Sequence, residues 1–413
     1  MIKNLVKKIL IGLSAVGPGL FLIGYNIGTG SVTTMAKTGA EHGMKLLWVL
    51  VLSCIFTYIL MVSYGKLTIV TGKTALNNIN KEFRYGRILS LYILVSLIFG
   101  ELLALVGIMG IVGDLVQEGI KMITGGSTVK TIWIILTCVI FMYLILWYGR
   151  YHTFEKILTI FVFLMGISFL VVFVMVMPGL SSMAAGLIPR NPGGEGSLKL
   201  IAAIAGTTCS AAVFIMRSTV IAEKGWGIGQ LKTEKKDAMV SSVMMFILSG
   251  AIMAVAAGTL HVMGLKLDNT VDMIYMFEPI GGKIAAFLLI LGIVGAGLST
   301  IFPIVLIAPW LISDFRGTPR NIHSPLSRVL ISIALLFAFG SVFLEQRPPA
   351  LMIFSQAFQA CILPAVAIPV MIMINRKKLM KGTKATMREN IGLIAVILFS
   401  LLTTYYAIIE LFK

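Results

Sequence analysis

Long apolar runs separated by short polar loops set the pattern of this chain. A transmembrane helix needs about 20 mostly apolar residues. Eleven runs qualify, at 9–38, 46–70, 88–118, 130–149, 153–178, 198–222, 239–263, 283–312, 327–345, 350–375 and 391–411. The third and eighth are long enough to require tilt or extension past the bilayer. Two runs contain interruptions where continuous helix is disfavoured. The first run holds Gly28-Thr29-Gly30-Ser31, and the sixth holds Gly206-Thr207-Thr208-Cys209-Ser210. Two broken spans at corresponding places in two halves of a chain point to a secondary transporter with its substrate site between the breaks. Glycines that only let helices pack closely are the competing reading. It accounts for one interrupted span better than for a matched pair.

The loops sharpen this picture. With the N-terminus in the cytoplasm, 24 of the 34 Lys and Arg fall in inside loops. That bias supports both the span count and the direction, and it puts the C-terminus outside. Spans one to five, about 9–178, and spans six to ten, about 198–375, then form two halves of opposite topology. The eleventh, about 391–411, is an extra helix, and 1–413 is one membrane domain. In outline this all-α membrane fold resembles the five-plus-five inverted repeat of LeuT-like transporters, with helices 1 and 6 discontinuous. The outside connection Pro178–Lys199 carries Pro189, Pro192, Gly193 and Gly194 and is expected to be loop, not helix. The Lys- and Glu-rich stretch Glu223–Asp237 suggests a short interfacial helix, and the basic Arg376–Arg388 loop suits topology and anionic lipid.

Composition agrees and excludes alternatives. The chain is 58% hydrophobic and 12% charged, with mean hydropathy +0.98, where a soluble domain has about 25% charged residues. The net charge of +17 reads as topological rather than as a nucleic-acid footprint, because the cations alternate between loops. Cys54, Cys138, Cys209 and Cys361 lie in apolar runs without a CxxC pair, so neither a disulfide framework nor a zinc site is expected. His42, His152, His261 and His323 form no ligand cluster. The first span is too long for a signal peptide and lacks a cleavage pattern, so Met1 onward is expected as mature chain in the cell (inner) membrane. No Ser-His, paired-carboxylate or HExxH arrangement lies in the spans, so no enzyme and no cofactor are expected. A non-transporting receptor, the other alternative, would call for a large soluble output domain.

Several short motifs carry a family resemblance over nearly the whole chain. They are Gly17-Pro18-Gly19, Gly39-Ala40 after the first break, Trp48, and Gly149-Arg150-Tyr151 with Glu155-Lys156. To these add Gly295-Ala296-Gly297-Leu298-Ser299, Ser355-Gln356 with Leu363-Pro364, and the basic Arg376–Leu379. In these the chain resembles the Nramp divalent-metal transporters, which implies their fold and proton-linked transport. The motifs that define the cargo are altered. Where the family has Asp-Pro-Gly-Asn, this chain has Gly28, Thr29, Gly30 and Ser31. Where it has Met-Pro-His, this chain has Ser210, Ala211 and Ala212, while the metal-ligating carbonyl maps to Thr207 and a further histidine to Arg217. Of the acidic cluster in span three, the first glutamate maps to Glu101 and the two following acids to Ile108 and Ile111. The glutamine of span ten maps to Ile362, with Gln356 and Gln359 nearby.

The expected substrate site is therefore Asn26, Gly28, Thr29, Gly30, Ser31, Thr207, Thr208, Cys209 and Ser210. It offers hydroxyls and carbonyls but no carboxylate, and a divalent ion leaving water needs strong replacements for its hydration. High-affinity metal binding, as for Mn2+ or Fe2+, is not expected there. A small polar organic solute is favoured, because half-helix N-termini suit an anionic group. The alternative is a divalent metal ion of the hydrated Mg2+ type. Glu101, near the middle of span three, is a coupling candidate for proton movement or a structural acid bonded between helices. Arg217 is an inner-gate cation paired with an acid, or a residue snorkelling to the inside, with the second favoured. The 24 methionines read as soft packing. The partners expected are the solute or cation, protons and the lipid bilayer, and no nucleic acid.

Overall fold

A computed structural model describes residues 28–126, 129–148, 151–194, 196–318, 320–343 and 348–411. Gly17–Gly19, Asn26, Gly149 and Arg150 lie outside the described residues, as does the first part of span one. The described residues form helices and no strand. In chain order they are α1 (Thr29–His42), α2 (Leu47–Thr71), α3 (Ala75–Glu82), α4 (Gly86–Thr124), α5 (Thr131–Trp147), α6 (Tyr151–Val176) and α7 (Leu180–Ala185). The second half has α8 (Ser197–Thr208), α9 (Ala211–Glu223), α10 (Leu231–Gly258), α11 (Gly282–Arg316), α12 (Pro325–Phe337) and α13 (Gly340–Phe343). It ends with α14 (Pro348–Ala360), α15 (Leu363–Asn375) and α16 (Met387–Leu411). Among the described residues, eight helical segments are long and apolar enough to cross a membrane.

The two long spans are long helices, α4 with 39 residues and α11 with 35. The sixth span is interrupted: α8 stops at Thr208 and α9 starts at Ala211. Together they are the most enclosed segment, 89% buried in their apolar window, against 28% for Pro325–Phe343. A helix buried all round must be apolar all round or find internal partners, and both hold here. Thr57 Oγ1 of α2 donates to the Thr208 carbonyl at 2.8 Å, so the freed end of α8 is satisfied from a neighbouring helix.

Four expectations need correction. Span ten is also divided, into α14 and α15 across Cys361–Ile362. Pro364 is the cause: it stands in the first turn of α15, where its missing N–H is tolerated, and it cannot continue a helix from α14. Tyr64 Oη donates to the Val366 carbonyl just beyond, at 2.7 Å. Span seven begins earlier than expected, at Leu231, so 223–237 is a 3-10 turn at Ile228–Gln230 followed by the first turns of α10. Its Glu234 and Asp237 are buried, where an interfacial helix would have left them at the membrane surface. The outside connection contains α7, and the stretch holding Pro189 and Pro192 is irregular as expected. Span nine splits into α12 and the short α13.

Glycine allows two close approaches that position the site. An added Cβ at Gly206 would overlap the Gln356 carbonyl oxygen, so α8 lies directly on the backbone of α14. One at Gly28 would overlap the Thr300 hydroxyl of α11.

Candidate functional site

A cavity opens where the starts of α1 and α9 meet α4, α11 and α14. Its volume is about 340 Å3, counting the open space at its mouth. Gly28, Gly30 and Ser31 line it from the start of α1, and Thr207 and Ser210 from the break between α8 and α9. Thr300, Met352, Gln356, Gln359 and Glu101 complete its polar and soft wall. Thr29, Thr208 and Cys209 are buried beside the breaks but do not line the cavity.

The local backbone explains the opening. Gly28 is extended (φ −84°, ψ −174°), and its carbonyl accepts from Val32 N at 3.1 Å, starting α1. Cys209 leaves helical geometry (φ −105°, ψ 50°) and Ser210 is extended (φ −68°, ψ 127°). A serine at this position normally caps its helix by accepting from the backbone of the first turn. Ser210 instead donates to Gln359 Oε1 at 2.8 Å, and no side chain caps α9 at this residue. Gln359 Nε2 in turn donates to Glu101 Oε1 at 3.1 Å. One hydrogen-bonded chain, Ser210–Gln359–Glu101, thus crosses from α9 through α14 to α4.

Glu101 is 2% exposed. A charged carboxylate in the middle of a bilayer is costly unless partnered. Gln359 is one partner, and the N-caps of α1 and α9 share the cavity with it. This corrects the expectation of a site without negative side chains. Glu101 is far in sequence from both breaks, and only the packing of α4 brings it there. Among the described residues lining the cavity, Glu101 is the one acidic or basic side chain. An anionic group would face this carboxylate at close range; the small organic solute expected, zwitterionic or anionic, is set aside by the family match reported below. The described residues contain no group of three or more His, Cys, Asp or Glu placed to hold a metal. Any cation here would meet one acid and a set of neutral donors.

Gln356 and Gln359 stand three residues apart on α14, so they share one face. Polar amides mid-way along an apolar run were the visible signal for them. Gln356 Nε2 approaches Met352 Sδ at 3.6 Å, a weak contact that keeps the thioether at the cavity wall. Thr300 donates to the Ala296 carbonyl at 2.7 Å and is fixed by it. Met352 and Thr300 carried no distinguishing pattern in sequence.

Arg217 does not snorkel. It is wholly buried in α9 and is held by two acids of α10. Its Nε donates to Glu234 Oε1 at 2.9 Å, and its Nη2 meets Glu234 Oε1 and Asp237 Oδ2, both at 2.8 Å. Two residues on, Thr219 Oγ1 donates to Asp314 Oδ2 at 2.6 Å, and Arg320 bridges Asp314 and Glu223 at 3.3 and 3.0 Å. The far end of α9 is therefore tied by polar contacts to α10 and α11.

Comparison with known proteins follows this geometry. A family model described as natural resistance-associated macrophage protein-like matches residues 19–410. A divalent metal cation transporter MntH from Pectobacterium carotovorum is 26% identical over 96% of this chain and 95% of its own length. Another MntH, from Deinococcus radiodurans, is 26% identical over 96% of this chain and 89% of its own. Among solved structures, a manganese transporter from Eremococcus coleocola superimposes with a TM-score of 0.72 at 17% identity, covering 97% of this chain and 88% of that one. A nucleobase-cation-symport-1 family transporter superimposes with a TM-score of 0.58 at 16% identity, over 95% and 92% of the two chains.

Proposed function

The chain belongs to the Nramp-like family of membrane transporters, and on that premise we propose that it carries a divalent metal cation through the cavity at the helix breaks. The observation that carries this reading is that the one acidic or basic side chain among the described residues lining the cavity is a carboxylate, Glu101. One carboxylate cannot replace the hydration of a divalent ion. The cation therefore keeps part of its water shell, and Ser31, Thr207, Ser210, Thr300, Gln356 and Gln359 hold those waters or the ion itself. Met352 supplies one soft donor, which favours a transition metal over magnesium at this wall.

Glu101 is also the group proposed to take up a proton when the cation leaves, linking transport to the pH gradient as the family does. In the proposed orientation the N-terminus is cytoplasmic, the C-terminus is extracytoplasmic, and residues 9–178 and 198–375 are the two inverted repeats. Arg217, Glu234 and Asp237 then close the cytoplasmic side below the cavity.

The test is uptake into proteoliposomes. Purified protein is loaded with Mn2+ or Mg2+ outside, with and without an inward proton gradient, and Glu101→Gln is run in parallel. Saturable Mn2+ uptake that the gradient stimulates and Glu101→Gln abolishes is the expected result. Uptake of neither metal by well-folded protein, or full uptake by the variant, would overturn the reading.

A further inference from the structure

A second, shallow pocket lies away from the cargo site between the end of α5 and the start of α12, with about 250 Å3 of space counting the open solvent at its mouth. Arg328, His323, Tyr143 and Trp147 supply its polar and aromatic walls. The Arg328 guanidinium lies over the Trp147 ring, 3.9 Å from its centroid. The Tyr143 ring packs on Trp147 with centroids 5.5 Å apart and steadies it. Stacking orients a guanidinium but gives its N–H groups no acceptor. Among the described residues, Arg328 Nε is buried with no hydrogen-bond partner, and no acidic residue lines the cavity to answer the charge.

We propose that this cavity binds the phosphate of an anionic phospholipid. A guanidinium lining a cavity with no acid among its described walls matches a phosphate oxygen, and this contact is stronger than a neutral hydrogen bond. The first turn of α12, capped by Ser324 accepting from Ser327 N at 3.2 Å, adds the positive end of a helix beside it.

The surroundings decide between a lipid and a free phosphate. Aromatic and basic residues at the ends of membrane spans sit at the headgroup level. From there α5 presents exposed Ile140, Phe141 and Leu144, and α12 presents exposed Val329, Ile333 and Leu336. These two apolar faces suit the acyl chains of a molecule whose headgroup is held at Arg328, whereas a free phosphate would need neither. In the orientation proposed above this is the cytoplasmic leaflet, where a basic pocket between spans meets anionic lipid. The inference stands whatever the cavity at the breaks carries.

Native mass spectrometry of the full chain in detergent tests it, with phosphatidylglycerol, phosphatidylcholine and inorganic phosphate as separate probes. Both lipids carry the phosphate, but the choline cation opposes the Arg328 charge, so phosphatidylglycerol should bind about tenfold more tightly than phosphatidylcholine. Arg328→Ala should remove that preference, and Trp147→Leu, which keeps the charge but removes the stack, should weaken it several-fold. Thermal melting of each variant checks that it is folded. Should Arg328→Ala fail to fold, Trp147→Leu alone decides. An unchanged preference in a folded variant would overturn the proposal. So would inorganic phosphate binding that depends on Arg328 without any preference between the two lipids.

Discussion

Removing the Arg217 side chain, as in Arg217→Met, tests the buried ion cluster most directly. The wild-type cluster has one guanidinium against two carboxylates, and the three side chains are 0%, 1% and 2% exposed. The substitution keeps most of the volume but leaves Glu234 and Asp237 facing each other without a cation. Breaking a buried ion pair from one side costs about 3–5 kcal/mol, because the remaining charge stays desolvated. For a chain of 413 residues this corresponds to about 3–6 °C in Tm on globular-protein unfolding entropies. The assay is thermal unfolding in detergent, followed by tryptophan fluorescence. The decisive comparison is the triple variant Arg217→Met, Glu234→Gln, Asp237→Asn, which removes all three charges. If the cost of the single variant is uncompensated charge, the triple should recover most of the lost Tm. A single variant as stable as wild type would refute the reasoning. So would a triple that melts no higher than the single.

Other variants probe the cargo cavity. Glu101→Gln should lower Mn2+ uptake by at least about tenfold while leaving Tm within a few degrees, since an amide can still bond Gln359; scintillation or fluorescent-dye uptake measures it. Met352→Leu conserves volume, so stability should change by less than about 1.5 kcal/mol; uptake of Mn2+ should fall relative to Mg2+, as competition assays would record. Gly206→Ala should reduce Tm by several degrees and the yield of folded protein, because the new methyl meets the Gln356 backbone rather than a side chain that can move. Ser210→Ala leaves Gln359 Oε1 buried without its donor and should cost about 1–3 kcal/mol in stability, again read from Tm.

Most of the architecture was legible from hydropathy. The limits of α2, α4, α5, α6, α11 and α16 lie within a few residues of the apolar runs, except where helices extend past the membrane. The interruption of span six was visible because Gly206, two threonines and Ser210 break an otherwise apolar stretch. The division of span ten was missed, although Pro364 was in plain view, because its flanking residues stay apolar and kept the run intact. The start of α10 was missed for the opposite reason: Lys232, Glu234, Lys235 and Asp237 look like loop, yet two of them are buried against Arg217. The sign of the cavity was out of reach, since it depends on a carboxylate contributed from α4. Local pattern reports which segments are helical, while long-range packing decides which side chains meet.

The contact between Gly206 and the Gln356 carbonyl limits how this molecule can change shape. With no side chain between them, α8 and α14 cannot slide past one another without collision, so they move as one body. Each ends in a short joint, extended at Cys209–Ser210 in one case and a tight hydrogen-bonded turn at Cys361–Ile362 in the other. Rearrangements that open the cavity must be absorbed at those paired hinges, with α9 and α15 swinging on a fixed core. A cross-link between α8 and α14 should leave the alternation intact, and one that spans either hinge should arrest it.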